Sequence, residues 1–590
     1  MQCIVLTCGW KRVGCDKWLI RYRQGDGNDI YMKDKKTLFY HQMFSKIVDV
    51  STSLSDVKDD SIIAISGFNM ATTPEYLILE LYKRYKEQGH PSNIFIISDA
   101  LPAVPGRALD QIAERLYKEP NQQFLRGALM PFLGFSPWLQ KLVTDNRIEC
   151  YGWPIGITAY WFREIGSGRP GLLTKIGVDT FLDPRQDSAA LNELARRNAS
   201  CHISVIDIDG EDYLLYQAPK PSYAMIRASV SDENGNLSLQ DEGMKGTVLS
   251  ITQSAKAGPN QGMVIAQVRW ITKSGTINPR DVDVPGPLVN YIVVSPKEYH
   301  WQCGSIEYDP RLSYKIIPPA RENLLVDGGI PKISLAVYKK VIARRILLEL
   351  IRLFKTKQSP VLVNLGIGIP ALISLVAAEE NVTDFIITVL ESGPWGGLAL
   401  AGNDFGLAIS PFALSTIPDV FSNFEGGIID AASLGFLQVD KKGNVNPSML
   451  PDRIFGTGGF PVIAGGVSRI YFAGSFMGGK SDISISDNKI RILHEGTIPK
   501  FIENVFKVVF SGHQAIKYGQ EIMYITERAV FRLNERGLVL EEIAPGIDLD
   551  KDVISKMGFA PIIGNSIKEM DRRIFNDGKL GVRDEVMQQV

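Results

Sequence analysis

The sequence has few of the residues that mark several large classes of protein. Only six of its 590 residues are cysteine, none forms a CxxC pair, and none follows Cys303. This excludes a disulfide scaffold and favours a reducing, cytoplasmic compartment. The six histidines are scattered, with no HxH or HExxH pair. We therefore expect no metal centre.

Long apolar runs and an excess of one charge are also missing. No apolar stretch reaches the roughly 18–20 residues of a membrane span. The start, MQCIVLTCGW, has no basic segment and no small-residue cleavage site, so we expect neither a membrane partner nor a signal peptide. Lys and Arg number 64 against 65 Asp and Glu, which leaves no global field to attract nucleic acid.

The order of the apolar patterns predicts an α/β protein with two similar halves. In the first half the strand, helix and strand are SIIAISGF (61–68), PEYLILELYKRYKEQG (74–89) and NIFIIS (93–98). In the second half a helix at about 334–355 precedes the strand 361–370, the helix 371–380 and the strand 384–390. Pro at the start and Gly at the end of the helix 74–89 are typical helix signals.

A shorter repeat supports duplication or fusion of two related units. RASVSDENGNLSL (227–239) parallels FLQVDKKGNVNPS (436–448), and each carries V-x-D-x-x-G-N. Such a segment suits a hairpin turn that needs a positive φ.

These patterns divide the chain into four parts. We expect an N-terminal domain at 43–303, a linker rich in Pro, Gly and charge at 304–334, and a C-terminal domain at 335–590. Residues 1–42 are polar, aromatic-rich and irregular. They are either a genuine appendage or an upstream extension before natural initiation at Met43.

The segment TVLESGPWGG (388–397) ends an apolar strand in a lone carboxylate, Glu391. An acid at such a position is often only a helix cap or a solvated residue. Ligands of open α/β sheets, however, bind beyond the carboxyl ends of the strands, and Gly393, Gly396 and Gly397 permit close approach of the backbone. We predict that Glu391 is a general base or, in a partly desolvated pocket, a nucleophile for an activated acyl group such as a thioester.

Two further glycine-rich segments are candidates for the surroundings of that acid. Attack on an acyl group creates an oxyanion that needs backbone donors. Gly458 and Gly459 of FGTGGF (455–460) suit that role, unless they form a simple turn. LGIGIP (365–370) lacks the third glycine of a dinucleotide fingerprint, so we interpret it as a phosphate- or pantetheine-facing loop at a helix N-terminus.

Taken together, these segments resemble the family I coenzyme A transferases, in particular the fused single-chain type that acts on short-chain acids such as acetate and propionate. The resemblance runs from about 46 to 577. It is carried by SGF (66–68), GRPGLLTKIGVDTFLDPR (168–185), DENGN (232–236), VPGPLVNYIVV (284–294), LGIGIP, ESGPWGG, VDKKGNV, GTGGF, YITERAVF (524–531) and IAPGIDL (543–549).

The resemblance implies two open α/β domains with the active site between them, in a homodimer or homotetramer. It also implies ping-pong chemistry without a metal, in which Glu391 attacks acyl-CoA and becomes a glutamyl-CoA thioester that a second acid resolves. The implied CoA-binding residues are Asn364, Gly366, Ile367, Gly368, Ile369, Pro370, Gly396 and Gly397. The implied acyl-side residues are Gly458, Gly459, Ile155, Glu425 and Gly426.

Some positions depart from the family pattern. The family usually has a glutamine facing the acyl group where this chain has Ile155, and a triple glycine where this chain begins with Glu425. The segments GALMPFLGF (127–135) and FNMATT (68–73) also differ. An acyl pocket that loses a polar donor and gains bulk should shift substrate choice or weaken activity.

The favoured function is transfer of CoA between short- or medium-chain acyl-CoA and a free carboxylic acid. If water opened the same intermediate, the protein would be an acyl-CoA hydrolase. The substitutions at 155 and 425 leave open a third function, a CoA-binding assembly subunit with little turnover.

Overall fold

The computed structural model describes residues 9–12, 17–24, 27–34, 45–316 and 337–588. Two open sheets flanked by helices form its framework, one in each half. The helices are α1 (Val50–Leu54), α2 (Glu75–Gln88), α3 (Leu109–Lys118), α4 (Pro137–Thr144), α5 (Ile155–Gly166), α6 (Glu193–Asn198), α7 (Val248–Lys256), α8 (Val337–Lys357), α9 (Leu372–Glu379), α10 (Ile417–Glu425), α11 (Phe460–Gly466), α12 (Gly512–Lys517) and α13 (Val582–Met587).

The first sheet has seven strands, all parallel to their neighbours. They are β1 (Ile62–Ile65), β2 (Ile94–Ile97), β3 (Leu125–Leu129), β4 (Glu149–Tyr151), β5 (Tyr223–Arg227), β6 (Met263–Val268) and β7 (Tyr291–Val294), in the order β7-β6-β5-β1-β2-β3-β4. The predicted strand, helix and strand at 61–98 are confirmed. Helix α2 follows Pro74 and ends at Gly89, whose φ of 75° glycine adopts without strain.

The second sheet has eight strands, of which the first five in space are parallel. They are β8 (Val361–Leu365), β9 (Ile386–Thr388), β10 (Ala431–Gly435), β11 (Arg469–Ala473), β12 (Glu521–Ile525), β13 (Ala529–Asn534), β14 (Gly537–Ile543) and β15 (Ile562–Glu569), in the order β9-β8-β10-β11-β12-β13-β14-β15. The predicted strand 384–390 is shorter than expected because the chain turns directly after Val389.

The two sheets share a common strand order. The series β2-β1-β5-β6-β7 in the first half matches β9-β8-β10-β11-β12 in the second, which confirms two similar α/β halves. The repeated V-x-D-x-x-G-N segments also form equivalent hairpins. Asp232 accepts hydrogen bonds from the amides of Asn234 and Asn236, as Asp440 does from those of Lys442 and Asn444.

One expectation about an irregular segment needs correction. The stretch 1–42 was expected to be irregular, but its described part contains a three-stranded antiparallel sheet of Gly9–Arg12, Lys17–Gln24 and Gly27–Asp34. In the linker, the described residues 304–316 lie against the second half, where the Ser410 amide donates to the Arg311 carbonyl at 2.9 Å. The rest of the linker, 317–334, lies outside the described residues.

Candidate active site

Glu391 lies in a tight turn three residues beyond the end of β9. The Leu390 carbonyl accepts a hydrogen bond from the Gly393 amide at 3.0 Å, so Glu391 and Ser392 are the central residues of the turn. Gly393 has a φ of 119°, and a Cβ atom there would lie 2.1 Å from the Ser415 carbonyl oxygen. Glycine is therefore required for the turn that presents Glu391.

Two side chains hold this turn in place. The Asn364 side-chain amide, at the end of β8, donates to the Val389 carbonyl at 2.9 Å. The buried Ser392 hydroxyl donates to the Gly406 carbonyl. With the turn fixed on both sides, the Glu391 carboxyl points into a cavity between the two halves.

This cavity has a volume of about 560 Å³, within the range of small-molecule sites. The wall from the first half is formed by Phe68, Asn69, Ala100, Leu101, Phe132, Gly134, Phe135 and Ile155. The opposite wall comes from the second half, mainly from the segments that follow β8, β10 and β11. In the second sheet the order in which successive strands are added reverses between β8 and β10, and at such a point open α/β sheets bind ligands.

A glycine-rich segment of the second half closes the cavity and is clamped to the first half. The Leu133 amide donates to the Phe455 carbonyl at 2.8 Å, and the Ile155 amide donates to the Gly458 carbonyl at 3.0 Å. The Gly458 amide donates to the Pro131 carbonyl at 3.0 Å. Of the two predicted oxyanion donors, Gly458 is thus already engaged with the first half.

Gly459 is the residue that meets the carboxyl of Glu391. A Cβ atom on Gly459 would lie 1.9 Å from Glu391 Oε2, so a side chain here would occupy the place of the carboxyl. Burial raises the pKa of Glu391 to about 7, although the hydrogen bond from the Gly459 amide lowers it. At neutral pH the carboxyl is therefore present in both the ionised and the neutral form.

Most of the predicted CoA loop lines the same cavity. Asn364, Gly366, Ile367, Ile369 and Pro370 are all part of the wall. The side chain of Ile367 is 48% exposed, which leaves an apolar surface over the cavity mouth. Gly368 is on the exposed outer side of this loop and does not line the cavity.

Gly396 and Gly397 were expected to bind CoA, but neither lines the cavity. Both have positive φ and serve a turn whose backbone packs against residues 409–412. A Cβ atom on Gly396 would lie 2.4 Å from the Phe412 ring, and one on Gly397 would lie 2.4 Å from the Ile409 carbonyl. Close packing of this loop, rather than approach of a ligand, accounts for these glycines.

Glu425 and Gly426 were expected on the acyl side, but they lie in a different cavity of about 420 Å³. There the Glu425 carboxyl accepts a hydrogen bond from Thr174 Oγ1 at 2.5 Å, and burial raises its pKa. Phe421 is the residue of α10 that contacts Gly459. Glu425 is four residues further along α10, about 6 Å of helix rise, and lies in the second cavity.

Lys500 is a site residue that the sequence did not reveal. Its ammonium group lines the cavity and donates to the Phe436 carbonyl at 3.3 Å, 5.1 Å from the centre of the Phe436 ring. Burial lowers its pKa to about 8. A single lysine in the segment TIPK carries no motif, and only the fold brings it to the ends of β10 and β11.

In the ranges that the structure describes, no group of three or more His, Cys, Asp or Glu side chains is arranged to hold a metal ion. Among the helices of those same ranges, none combines the length and apolar character needed to cross a membrane.

An acid held on a turn in a cavity between two open α/β halves suits enzymes that transfer acyl groups. Comparison with known proteins identifies the family. The sequence profile of the family described as Coenzyme A transferase matches residues 48–295 of this chain. The chain is 34% identical to caffeate CoA-transferase of Acetobacterium woodii, covering 90% of this chain and 98% of that protein.

A second relative has a known structure. Acetate CoA-transferase YdiF of Escherichia coli K12 is 34% identical, covering 91% of this chain and 96% of that one. The crystal structure of YdiF from E. coli O157:H7, a thioester complex with CoA, superposes with a TM-score of 0.80 at 32% identity, over 92% of this chain and 98% of that chain. The chain belongs to the coenzyme A transferase family, and its activity is CoA transfer.

Proposed function

We propose that Glu391 is the nucleophile of this CoA-transferase and carries CoA as a glutamyl thioester. Its carboxylate attacks the acyl-CoA carbonyl, and CoA thiolate leaves from the tetrahedral intermediate to give a mixed anhydride of Glu391 and the acyl group. The thiolate then attacks the Glu391 carbonyl and releases the first acid. The second acid reverses both steps and leaves as the new acyl-CoA, so that no atom is gained or lost overall.

The observation that carries this proposal is the contact between Glu391 and Gly459. A turn that requires glycine at position 393 holds the Glu391 carboxyl in a buried cavity. The backbone amide of Gly459 lies opposite, and no side chain stands between the two. Desolvation makes the carboxylate a better nucleophile than it would be in water. The Gly459 amide donates to the Glu391 carboxylate before attack, and we propose that it donates to the oxyanion at the acyl carbon once the carboxylate has formed its new bond.

The second-half wall is proposed to hold the CoA chain. This wall includes residues 364–370, which form the end of β8 and the loop after it. It also includes Lys500, which lies in space near the end of β10. An ammonium that is buried with one long hydrogen bond can donate to the amide carbonyls of pantetheine. Lys339, at the start of α8, also lines this wall and supplies a positive charge for the CoA phosphates.

An acceptor-dependence assay tests the proposal against hydrolysis. The purified enzyme is given acyl-CoA with and without a short- or medium-chain carboxylic acid, and both new acyl-CoA and free CoA are measured. Transfer predicts new acyl-CoA only when the acid is present, with little free CoA. Release of free CoA at the same rate without any acid would identify a hydrolase, and no product under either condition would identify a binding subunit.

The remaining organisation is proposed from the sequence. The chain divides into domains at 43–303 and 335–590 with a linker between them, and the enzyme assembles as a homodimer or homotetramer. A cytoplasmic location is supported by three buried cysteines that are not in disulfides, Cys150, Cys201 and Cys303. Size-exclusion chromatography with light scattering measures the oligomeric state.

A further inference from the structure

The cavity wall that comes from the first half is dominated by aromatic side chains. Phe132 and Phe135 stand edge to face, with ring centroids 5.4 Å apart and an interplanar angle of 78°. Phe68 lies 6.3 Å from Phe405, which enters the same cavity from the second half. Such an arrangement offers ring faces and edges to a flat apolar ligand.

Packing against neighbouring residues fixes the positions of the Phe132 and Phe68 rings. A Cβ atom on Gly134 would lie 2.2 Å from the Phe132 ring, and one on Gly406 would lie 2.5 Å from the Phe68 ring. Each ring therefore packs directly onto a glycine. The Asn69 side-chain amide donates to the Phe405 carbonyl at 3.1 Å and ties the two halves together at this point. The wall is pre-organised, which lowers the entropic cost of binding.

Charge separates this wall from the opposite one. The eight described residues of the first-half wall include no charged side chain, and Ile155 is among them. The cations of the cavity, Lys339 and Lys500, are both on the second-half wall. The phosphates of CoA are therefore excluded from the first-half wall, which leaves it for the acyl group. A second carboxylate on the acid would find no counter-ion there and would lose its hydration.

On the basis of the proposed function, we infer that the acid carried by this enzyme is a bulky, apolar monocarboxylic acid, with an arylalkanoic acid the best match. Each methylene that such an acid buries is worth about a fourfold gain in binding. Acetate leaves most of the aromatic wall without a partner. Dicarboxylic acids are selected against by the same wall.

A competition among acids tests this inference on the unmodified enzyme. With butanoyl-CoA as donor, so that every acid of the panel gives a new acyl-CoA, kcat/KM is measured for 3-phenylpropanoate, hexanoate, acetate and succinate. We expect 3-phenylpropanoate and hexanoate to exceed acetate by on the order of 100-fold, with succinate the poorest. Acetate or succinate equal to or better than the large acids would overturn the inference. Hexanoate far ahead of 3-phenylpropanoate would overturn its aromatic part.

A pair of variants locates the effect. Phe135→Ala should lower the preference for 3-phenylpropanoate over acetate about tenfold or more, because it removes one face of the ring site. Phe412→Ala is the matched control, since Phe412 is 53% exposed and does not line the cavity; it should leave the preference unchanged. An equal effect of both variants, or no effect of Phe135→Ala, would contradict the placement.

Failure of the inference can be told apart from failure of the proposed function. If a CoA adduct forms on Glu391 and small acids are preferred, only the substrate class is wrong. If no adduct forms and no acid of the panel is transferred, the proposed chemistry is wrong. The adduct is measured by mass spectrometry on the same preparation.

Discussion

Strands β2 and β9 occupy the same place in their sheets, and each is followed by a carboxylic acid. Asp99 lies two residues beyond β2, is 1% exposed and accepts a hydrogen bond from the Thr247 hydroxyl. Glu391 lies three residues beyond β9 and faces the cavity. Burial raises both pKa values, that of Asp99 to about 6 and that of Glu391 to about 7.

The difference shows that topology delivers a carboxyl group to this position but does not make it reactive. Asp99 is closed off by a neighbouring hydroxyl, as a structural group would be. Glu391 meets Gly459, which offers an amide and leaves space where any other residue would place a side chain. Gly459 thus leaves room at the Glu391 carboxyl, whereas Asp99 is buried and already accepts a hydrogen bond.

The largest expected effect comes from removing the carboxylate of Glu391, which faces the cavity. Glu391→Gln keeps the shape of the side chain but not its nucleophilicity, so transfer should fall by on the order of 10³-fold or more. Steady-state assay of acyl-CoA exchange measures this. Asp99→Asn is the matched control and should keep transfer within about threefold. Equal losses in the two variants would remove the distinction between these acids.

The pH dependence of kcat/KM for acyl-CoA should have two limbs. Glu391 must be ionised to attack, so the rate should fall about tenfold per pH unit below its pKa of about 7. The protonated Lys500 ammonium donates a stronger, charge-assisted hydrogen bond than the neutral amine, so binding should weaken above its pKa of about 8. Lys500→Met should remove the alkaline limb and raise KM for acyl-CoA about tenfold. An unaltered alkaline limb in this variant would exclude Lys500 from the CoA site.

Asp99, whose carboxyl is buried and hydrogen-bonded, should affect stability and not catalysis. Thr247→Val removes the hydroxyl that donates to Asp99 and should lower the free energy of unfolding by about 2 kcal/mol. Urea denaturation measures the change, with the exposed Thr356→Val as control. Transfer by the folded variant should persist, and its loss without a change in stability would assign Asp99 to the reaction.

The smallest effect concerns the paired hairpins. Asp232 and Asp440 each accept the same set of three hydrogen bonds from the turn that follows. Asp232→Asn and Asp440→Asn should each lower the free energy of unfolding by about 1 kcal/mol, and by similar amounts. A clear inequality between them would show that the two hairpins are not equivalent.

The regular parts of the fold could be predicted because their signals are local. Pro74 and Gly89 bound α2, and the apolar runs mark β1, β2 and β8. The end of β9 was placed too late because Val389 and Leu390 continue the apolar pattern. The strand ends because the chain enters the turn that closes at Gly393. Gly393 comes after the apolar run, so the sequence does not show that it sets the end of the strand.

The residues that line the cavity were predictable only where a motif coincides with a backbone requirement. Glu391, Gly459 and the loop after β8 fall into this group, and their roles in the reaction stay a prediction. Gly396 and Gly397 share the same conformational freedom, yet their chain neighbours use it for packing. The sequence could not show whether Glu425 and Lys500 line the cavity. Their positions depend on which ends of helices and strands the tertiary fold brings to it. The aromatic wall is likewise assembled from separate loops.

The most direct test of the central claim is mass mapping of the enzyme after brief incubation with acyl-CoA in the absence of acceptor acid. The account predicts a CoA adduct on the peptide that contains Glu391, and its loss in the Glu391→Gln variant. An adduct on any other residue, or turnover by the variant with no adduct at all, would contradict it.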